Sequence, residues 1–188
     1  MQVQSLAGAF ANPPIDAAHA FRSAMNAMAK PGQVFALKGA TPPAPMSIAG
    51  GCLLLTLCDA DTPVFLGGDL DSQVIRDWIT FHTSAPVVPA EQAMFALGTW
   101  DDLAPVTQFA IGSSEYPDRS ATLIVETDAI SQDGATLRGP GIRDTARLSL
   151  PETRAFQQNA ALFPLGLDFY FTSGTQVTAL PRTTKVSL

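Results

Sequence analysis

FPLGLDFYFTSGTQVTALPRTTKV, residues 163–186, holds the pattern from which the architecture follows. Phe169–Thr172 and Gln176–Leu180 are short runs rich in aromatic and β-branched residues, and Ser173-Gly174-Thr175 between them is a turn signal. A tight turn forces its two strands antiparallel, whereas helices interleaved between strands permit parallel crossovers. Upstream of this hairpin the chain does interleave helical and strand-like patterns. The reading consistent with both is an α/β fold, a mixed β-sheet flanked by helices.

Working back towards the N-terminus, residues 151–162 predict a helix with Pro151 at its first position. Thr122–Thr127 reads as a strand, and the Asp133-Gly134 turn predicts Ala135–Arg138 as its returning partner. Within 100–110, Asp101 is a candidate cap for a short helix. Pro86–Val88 and Met94–Leu97 read as brief strands, as does Val64–Leu66. Asp71 or Ser72 caps a helix expected to turn Val74, Ile75, Trp78 and Phe81 inward. Residues 46–58 are apolar on nearly every face and predict a central helix covered on all sides. Gln33–Leu37 reads as another short strand. Residues 14–30 form the clearest amphipathic helix, with Ala18, Phe21, Met25 and Met28 expected inside and Arg22, Asn26 and Lys30 outside, stopped by Pro31-Gly32. No internal repeat, low-complexity tract or linker interrupts the pattern. Residues 1–188 are expected to form one domain, with 1–13 a flexible N-terminal arm.

Composition excludes several function classes. The net charge of −6 argues against non-specific nucleic-acid binding, which needs a basic patch to displace counterions. No segment reaches the roughly 18 apolar residues of a membrane span, and the N-terminus lacks the basic and apolar regions of a signal peptide. The expected location is the cytoplasm. Charged residues make up 15% of the chain, against roughly 25% in ordinary soluble domains, so much of the surface is neutral or apolar. Such surface suits burial against other subunits, or else covers a large core. Cys52 and Cys58, six residues apart, would point about 240° apart on one helix and read as buried free thiols.

The chemistry-bearing motifs are few. Walker-type, GxGxxG and GxSxG patterns are missing, and neither His19 nor His82 has metal-ligand spacing. No metal or other cofactor is expected. His82 closes a predicted helix, where it is either a dipole-stabilised terminal histidine or a proton-transfer group. Asp59 and Asp61 suit a turn before Pro63. Two clusters stand out as candidates for anion binding or subunit contact. Arg138-Gly139-Pro140-Gly141-Ile142-Arg143 frames a glycine loop with two forked donors. The alternative for it is a rigid loop whose arginines pair with nearby acids such as Asp144. Arg182, Thr183 and Thr184, followed by Lys185, bring cations and hydroxyls together; they suit phosphate recognition or a charged edge strand.

Several strings, taken in order, resemble one known family: HAFR (19–22), MAKPG (28–32), LLLTL (53–57), DTPV (61–64), FHTSAP (81–86), LRGPGI (137–142), FPLGLD (163–168) and PRTT (181–184). These are similar to the H subunits of the bacterial carbon–phosphorus lyase system, the PhnH family. The resemblance spans residues 16–186 and is weakest over 100–116. It implies a fold similar to the large domain of PLP-dependent transferases. It further implies a place in a core complex with subunits G, I and J. That complex makes ribose 1-phosphonate 5-triphosphate and adenine from ATP and a phosphonate. The resemblance implies no catalytic centre in this chain, and a homodimer when the chain is alone. PLP itself is not expected, because Lys30, Lys38 and Lys185, the only lysines, have no evident aspartate to pair a pyridinium. Two other classes stay open at this point: a free-standing nucleotide- or phosphate-binding transferase or hydrolase, and a purely structural dimer.

Overall fold

The computed structural model describes residues 6–188. A six-stranded mixed sheet forms its centre, in the order β1-β8-β7-β4-β3-β2. The strands are β1 (Phe35–Ala36), β2 (Val64–Leu66), β3 (Phe95–Thr99), β4 (Thr122–Glu126), β7 (Asp168–Ser173) and β8 (Gln176–Leu180). Strands β2, β3, β4 and β7 run parallel, and the β7–β8 hairpin and β1 complete the sheet antiparallel. The mixed α/β reading therefore holds, and it holds for the reason given: the tight turn at Gly174-Thr175 and the interleaved helices each impose their own pairing.

Alternation along the strands divides the core in two. On one face Leu97, Ile124, Tyr170 and Val177 meet α1 (Pro13–Ala29), α2 (Ile48–Leu57) and α3 (Gln73–Thr83). On the other, Ala96, Leu123, Val125, Phe169 and Phe171 meet α5 (Arg154–Ala161), the short α4 (Trp100–Leu103) and a second sheet. Successive side chains point to opposite faces, so an all-apolar run such as Leu123-Ile124-Val125 fills both cores at once. The Phe156 ring lies 4.9 Å from Trp100 and 5.0 Å from Phe169, the second contact edge-on, a geometry that adds to simple burial.

The second sheet corrects one expectation. Ala135–Arg138 (β5) does not return onto Thr122–Glu126. It pairs with β6 (Ala146–Leu148) on one side and β9 (Lys185–Ser187) on the other, in the order β6-β5-β9. Strand β4 is already hydrogen-bonded on both edges, by β3 and β7, and has no free edge for β5.

Two helices present a different face from the one their large apolar residues suggest. Helix α1 buries Ala20, Ala24 and Ala27, while Phe21 and Met25 are each 52% exposed. Small residues let its backbone approach the sheet closely enough for the Tyr170 hydroxyl to reach the Ala24 carbonyl at 3.3 Å. Helix α3 buries Ile75, Trp78 and Ile79 and leaves Val74 and Phe81 outside. Its cap is Ser72, whose Oγ accepts from the Ile75 amide. The caps near 100 and 153 also differ from expectation. Thr99, not Asp101, closes a reciprocal capping box with Asp102. Helix α5 begins at Arg154 rather than at Pro151. Pro86–Val88 supplies only a bridge from Val87 to Val64.

Of the suggested N-terminal arm, residues 1–13, the stretch 6–10 lies against the domain, Pro13 opens α1, and residues 1–5 lie outside the described residues. The Trp78 indole donates to the Ala7 carbonyl at 2.9 Å, His82 Nε2 lies 2.8 Å from the Leu6 carbonyl, and Phe10 is buried. His82 thus joins helix α3 to this segment. Asp59 takes the expected turn role, its Oδ1 accepting from the Asp61 amide at 2.9 Å.

Candidate functional site

The two clusters singled out in the sequence meet in space. Strand β5 ends at Arg138 and strand β9 begins at Lys185, and these two residues are direct cross-strand partners. The Gly139-Pro140-Gly141 loop therefore lies on the Pro181–Thr184 turn, which is closed by the Thr184 amide donating to Pro181 O at 2.9 Å. A Cβ at Gly139 would stand 3.1 Å from the Thr183 carbonyl oxygen. Gly141, at φ +80°, is pressed so close to the end of α1 that a Cβ would collide with the Ala29 carbonyl. Glycine is required there twice over, by conformation and by space.

Arg182 does not share this opening. Its Nη2 contacts Asp168 Oδ2 at 2.6 Å, its Nε bonds both Asp168 oxygens at 3.2 Å, and its Nη1 donates to Pro117 O at 2.8 Å. Nη2 also donates to Ser120 Oγ. The guanidinium fork is committed to tying the tail to the 117–120 segment and to the start of β7. Thr184 is buried, and its hydroxyl has no hydrogen-bond partner among the described residues. Thr183 is half-buried and, with Pro140, Ala160, Phe163 and Lys185, lines a shallow cavity of about 240 Å³. Arg138 and Arg143 are exposed. The ion pairs among the described residues are Arg76–Asp71 and Arg182–Asp168, so neither Arg138 nor Arg143 is paired to Asp144. Of the predicted site residues, Arg138, Gly139, Gly141, Thr183 and Thr184 sit around the loop–tail junction, Arg143 follows the loop, and Arg182 faces its internal carboxylate.

Sequence reasoning missed two features here, the placing of Lys185, which it named with the tail, and the apolar wall beside it. Lys185 faces the same cavity as Thr183, and Phe163, 59% exposed, forms its apolar wall. The signal for Lys185 was present, since it lies one residue past the motif, but its strand register was not.

A second opening lies at the carboxyl ends of β2, β3 and β4, where open α/β sheets bind ligands. This crevice of about 440 Å³ is lined by Asp69, Asp101, Asp102 and Glu126 with Gly68 and Thr99. The residues come from separate segments, so no linear motif announces it. Glu126 is held between the Ser47 amide and the Thr172 hydroxyl, each at 3.0 Å, at the N-terminus of α2. Burial outweighs these hydrogen bonds and raises its pKa above the ordinary carboxylate value. The crevice is acidic and repels phosphate, so it does not serve the anion role read from the sequence. Both cysteines are buried free thiols, pushed by burial to about 11 for Cys52 and about 12 for Cys58. No helix among the described residues is long and apolar enough to cross a membrane.

Comparison with known proteins resolves the family. The model of the family described as PhnH, bacterial phosphonate metabolism protein, matches residues 8–187. The chain is 43% identical over 195 aligned positions to "Alpha-D-ribose 1-methylphosphonate 5-triphosphate synthase subunit PhnH" of Rhizobium meliloti (strain 1021), covering 98% of this chain and 97% of that protein. It is 31% identical over 177 positions to "Putative C-P lyase subunit protein HtxG" of Stutzerimonas stutzeri, covering 90% of this chain and 85% of that one. The chain belongs to the PhnH family of bacterial phosphonate metabolism proteins.

Proposed function

We propose that this chain is a non-catalytic but required subunit of the carbon–phosphorus lyase core complex in organic phosphonate catabolism. The step it serves joins a phosphonate to the ribose triphosphate of ATP and releases adenine. The observation that carries this reading is end-to-end similarity to the Rhizobium protein, whose name makes it a subunit of such a synthase. In this reading the partners are subunits G, I and J, the compartment is the cytoplasm, and the isolated chain pairs as a homodimer. Its physical task is to offer apolar, low-charge surface to its neighbours. The exposed Ile15, Phe21 and Met25 on α1, and Leu162 and Phe163 after α5, supply such surface. The loop–tail junction around Arg138, Gly139, Gly141, Arg143, Thr183 and Thr184 is the contact for an anionic group or a sister subunit.

Co-expression with subunits G, I and J, followed by size-exclusion chromatography and an assay of each fraction, tests the proposal. Stoichiometric co-elution with synthase activity confined to the assembly is expected. Turnover of ATP and phosphonate by the purified chain alone would overturn the non-catalytic role.

A further inference from the structure

The outer face of the small sheet carries an unusual charge pattern. Register places Arg147 of β6 opposite Thr136 of β5, Thr136 opposite Ser187 of β9, and Arg138 opposite Lys185. Their neighbours Ala135, Leu137, Leu148 and Val186 are buried in the core, so these five residues occupy the opposite, outward face. All five are basic or hydroxyl-bearing. The chain as a whole has 17 acidic and 11 basic residues, and this face reverses that balance. Neither ion pair among the described residues includes Arg138, Arg147 or Lys185.

Arg138 and Lys185 lie directly across from each other, and like charges in that position are destabilising. The free chain therefore holds a repulsion that an incoming negative charge relieves. Arg147 is the diagonal neighbour of Arg138, so the three cations spread over about 12 Å of sheet, from a strand spacing of about 4.8 Å and a rise of about 3.4 Å per residue. Small polyanions are often held in concave cradles of backbone amides; here Arg138, Arg147, Lys185 and Ser187 are exposed on the outer face of a sheet. Beside it, the cavity walled by Phe163, Pro140 and Ala160 shares Lys185 and offers an apolar seat. Cations spread over an exposed sheet face beside an exposed aromatic match a protein partner better than a single phosphate.

We infer that the outer face of the β6-β5-β9 sheet docks an acidic surface of a partner protein, with Arg138, Arg147 and Lys185 receiving carboxylates and an apolar side chain of the partner resting against Phe163. This rests on the subunit reading above and adds which face is used and what chemistry it meets.

Arg138→Glu is the decisive variant, because it puts opposite charges across from each other on β5 and β9 and leaves folding intact. Binding of the full-length chain to an assembly of full-length subunits G, I and J is measured against salt. The wild type is expected to bind more weakly as salt rises. Arg138→Glu is expected to weaken binding at least about tenfold at low salt while melting no lower than wild type. Arg154→Glu, an equal charge change outside this face, is expected to bind as wild type. Equal binding by wild type and Arg138→Glu overturns this inference and leaves the subunit reading standing. Equal loss in both variants reduces the effect to net charge and also overturns it. Failure of the wild type to bind at all removes the subunit reading and this inference together. Inorganic tripolyphosphate is titrated against the wild type in parallel. Binding by it that Arg138→Glu abolishes, with subunit assembly unaffected, reassigns the face to a small anion.

Discussion

Truncating Arg182 should unlock the C-terminal tail. The guanidinium makes contacts to both Asp168 oxygens, to Pro117 O and to Ser120 Oγ, and the two charged side chains are only 12% and 25% exposed. Breaking a fully buried pair costs about 3–5 kcal/mol, chiefly because one charge is left behind. Here Asp168 keeps the Arg182 backbone amide at 2.8 Å and some solvent, so the expected loss in Arg182→Ala is lower, about 2–3 kcal/mol. For a chain of this length, that corresponds to a fall in Tm of about 4–12 °C. Arg182→Lys keeps the charge but not the fork, and should lose about half as much.

Thermal melting followed by circular dichroism measures the shift, and a double-mutant cycle with Asp168→Ala isolates the pair. A coupling of at least about 1 kcal/mol is expected. A Tm drop below about 2 °C with no coupling would refute the reasoning, because Arg182 would then be free to serve a ligand. Phosphate added to the wild type and to Arg182→Ala should shift both melting temperatures equally, since the side chain is internally committed.

Three further outcomes are expected. Glu126 has a folded pKa raised by burial, so the folded state binds its proton more readily than the unfolded chain; the buried charge costs stability at neutral pH, and that cost is relieved as pH falls through the folded value towards about 4.3. Glu126→Gln should accordingly be more stable than wild type near neutrality and lose its advantage on acidification, and a pH-independent difference in urea midpoints would contradict this. Gly141→Ala should cost at least about 2 kcal/mol through strain and collision with Ala29, whereas Gly174→Ala, at φ +56° with open space around it, should cost about 1 kcal/mol; equal losses would remove the argument from close approach. With thiols at about 11 and about 12, fewer than about one cysteine in a hundred is ionised at pH 8, so Cys52 and Cys58 should resist a disulfide reagent until denaturant is added; rapid labelling of the native chain would contradict their burial.

Local signals were legible in the sequence wherever chemistry is local. The turn at Ser173-Gly174-Thr175 and the Asp59 turn follow from neighbouring residues and stand as read, the apolar helix read over 46–58 spans Ile48–Leu57, and of the two caps offered for α3, Asp71 and Ser72, the structure uses Ser72. The loop and tail motifs were also visible, but their meeting was not, because the β5–β9 pairing that joins them spans nearly fifty residues of chain.

Tertiary structure alone decided which helix face is buried and which strands pair. In α1 the large residues Phe21 and Met25 and the small residues Ala20, Ala24 and Ala27 recur at equally good helical spacing, and only the distance to α2 and β8 selects the small set. Likewise β5 reads as a partner for β4 until β3 and β7 occupy both edges of β4. Arg182 shows the same limit, since Asp168, Pro117 and Ser120 gather round it only after folding. Turns, caps and apolar periodicity are set by bonded neighbours and survive in one dimension. Faces, edges and ion pairs are competitions among distant segments, and those are settled by packing.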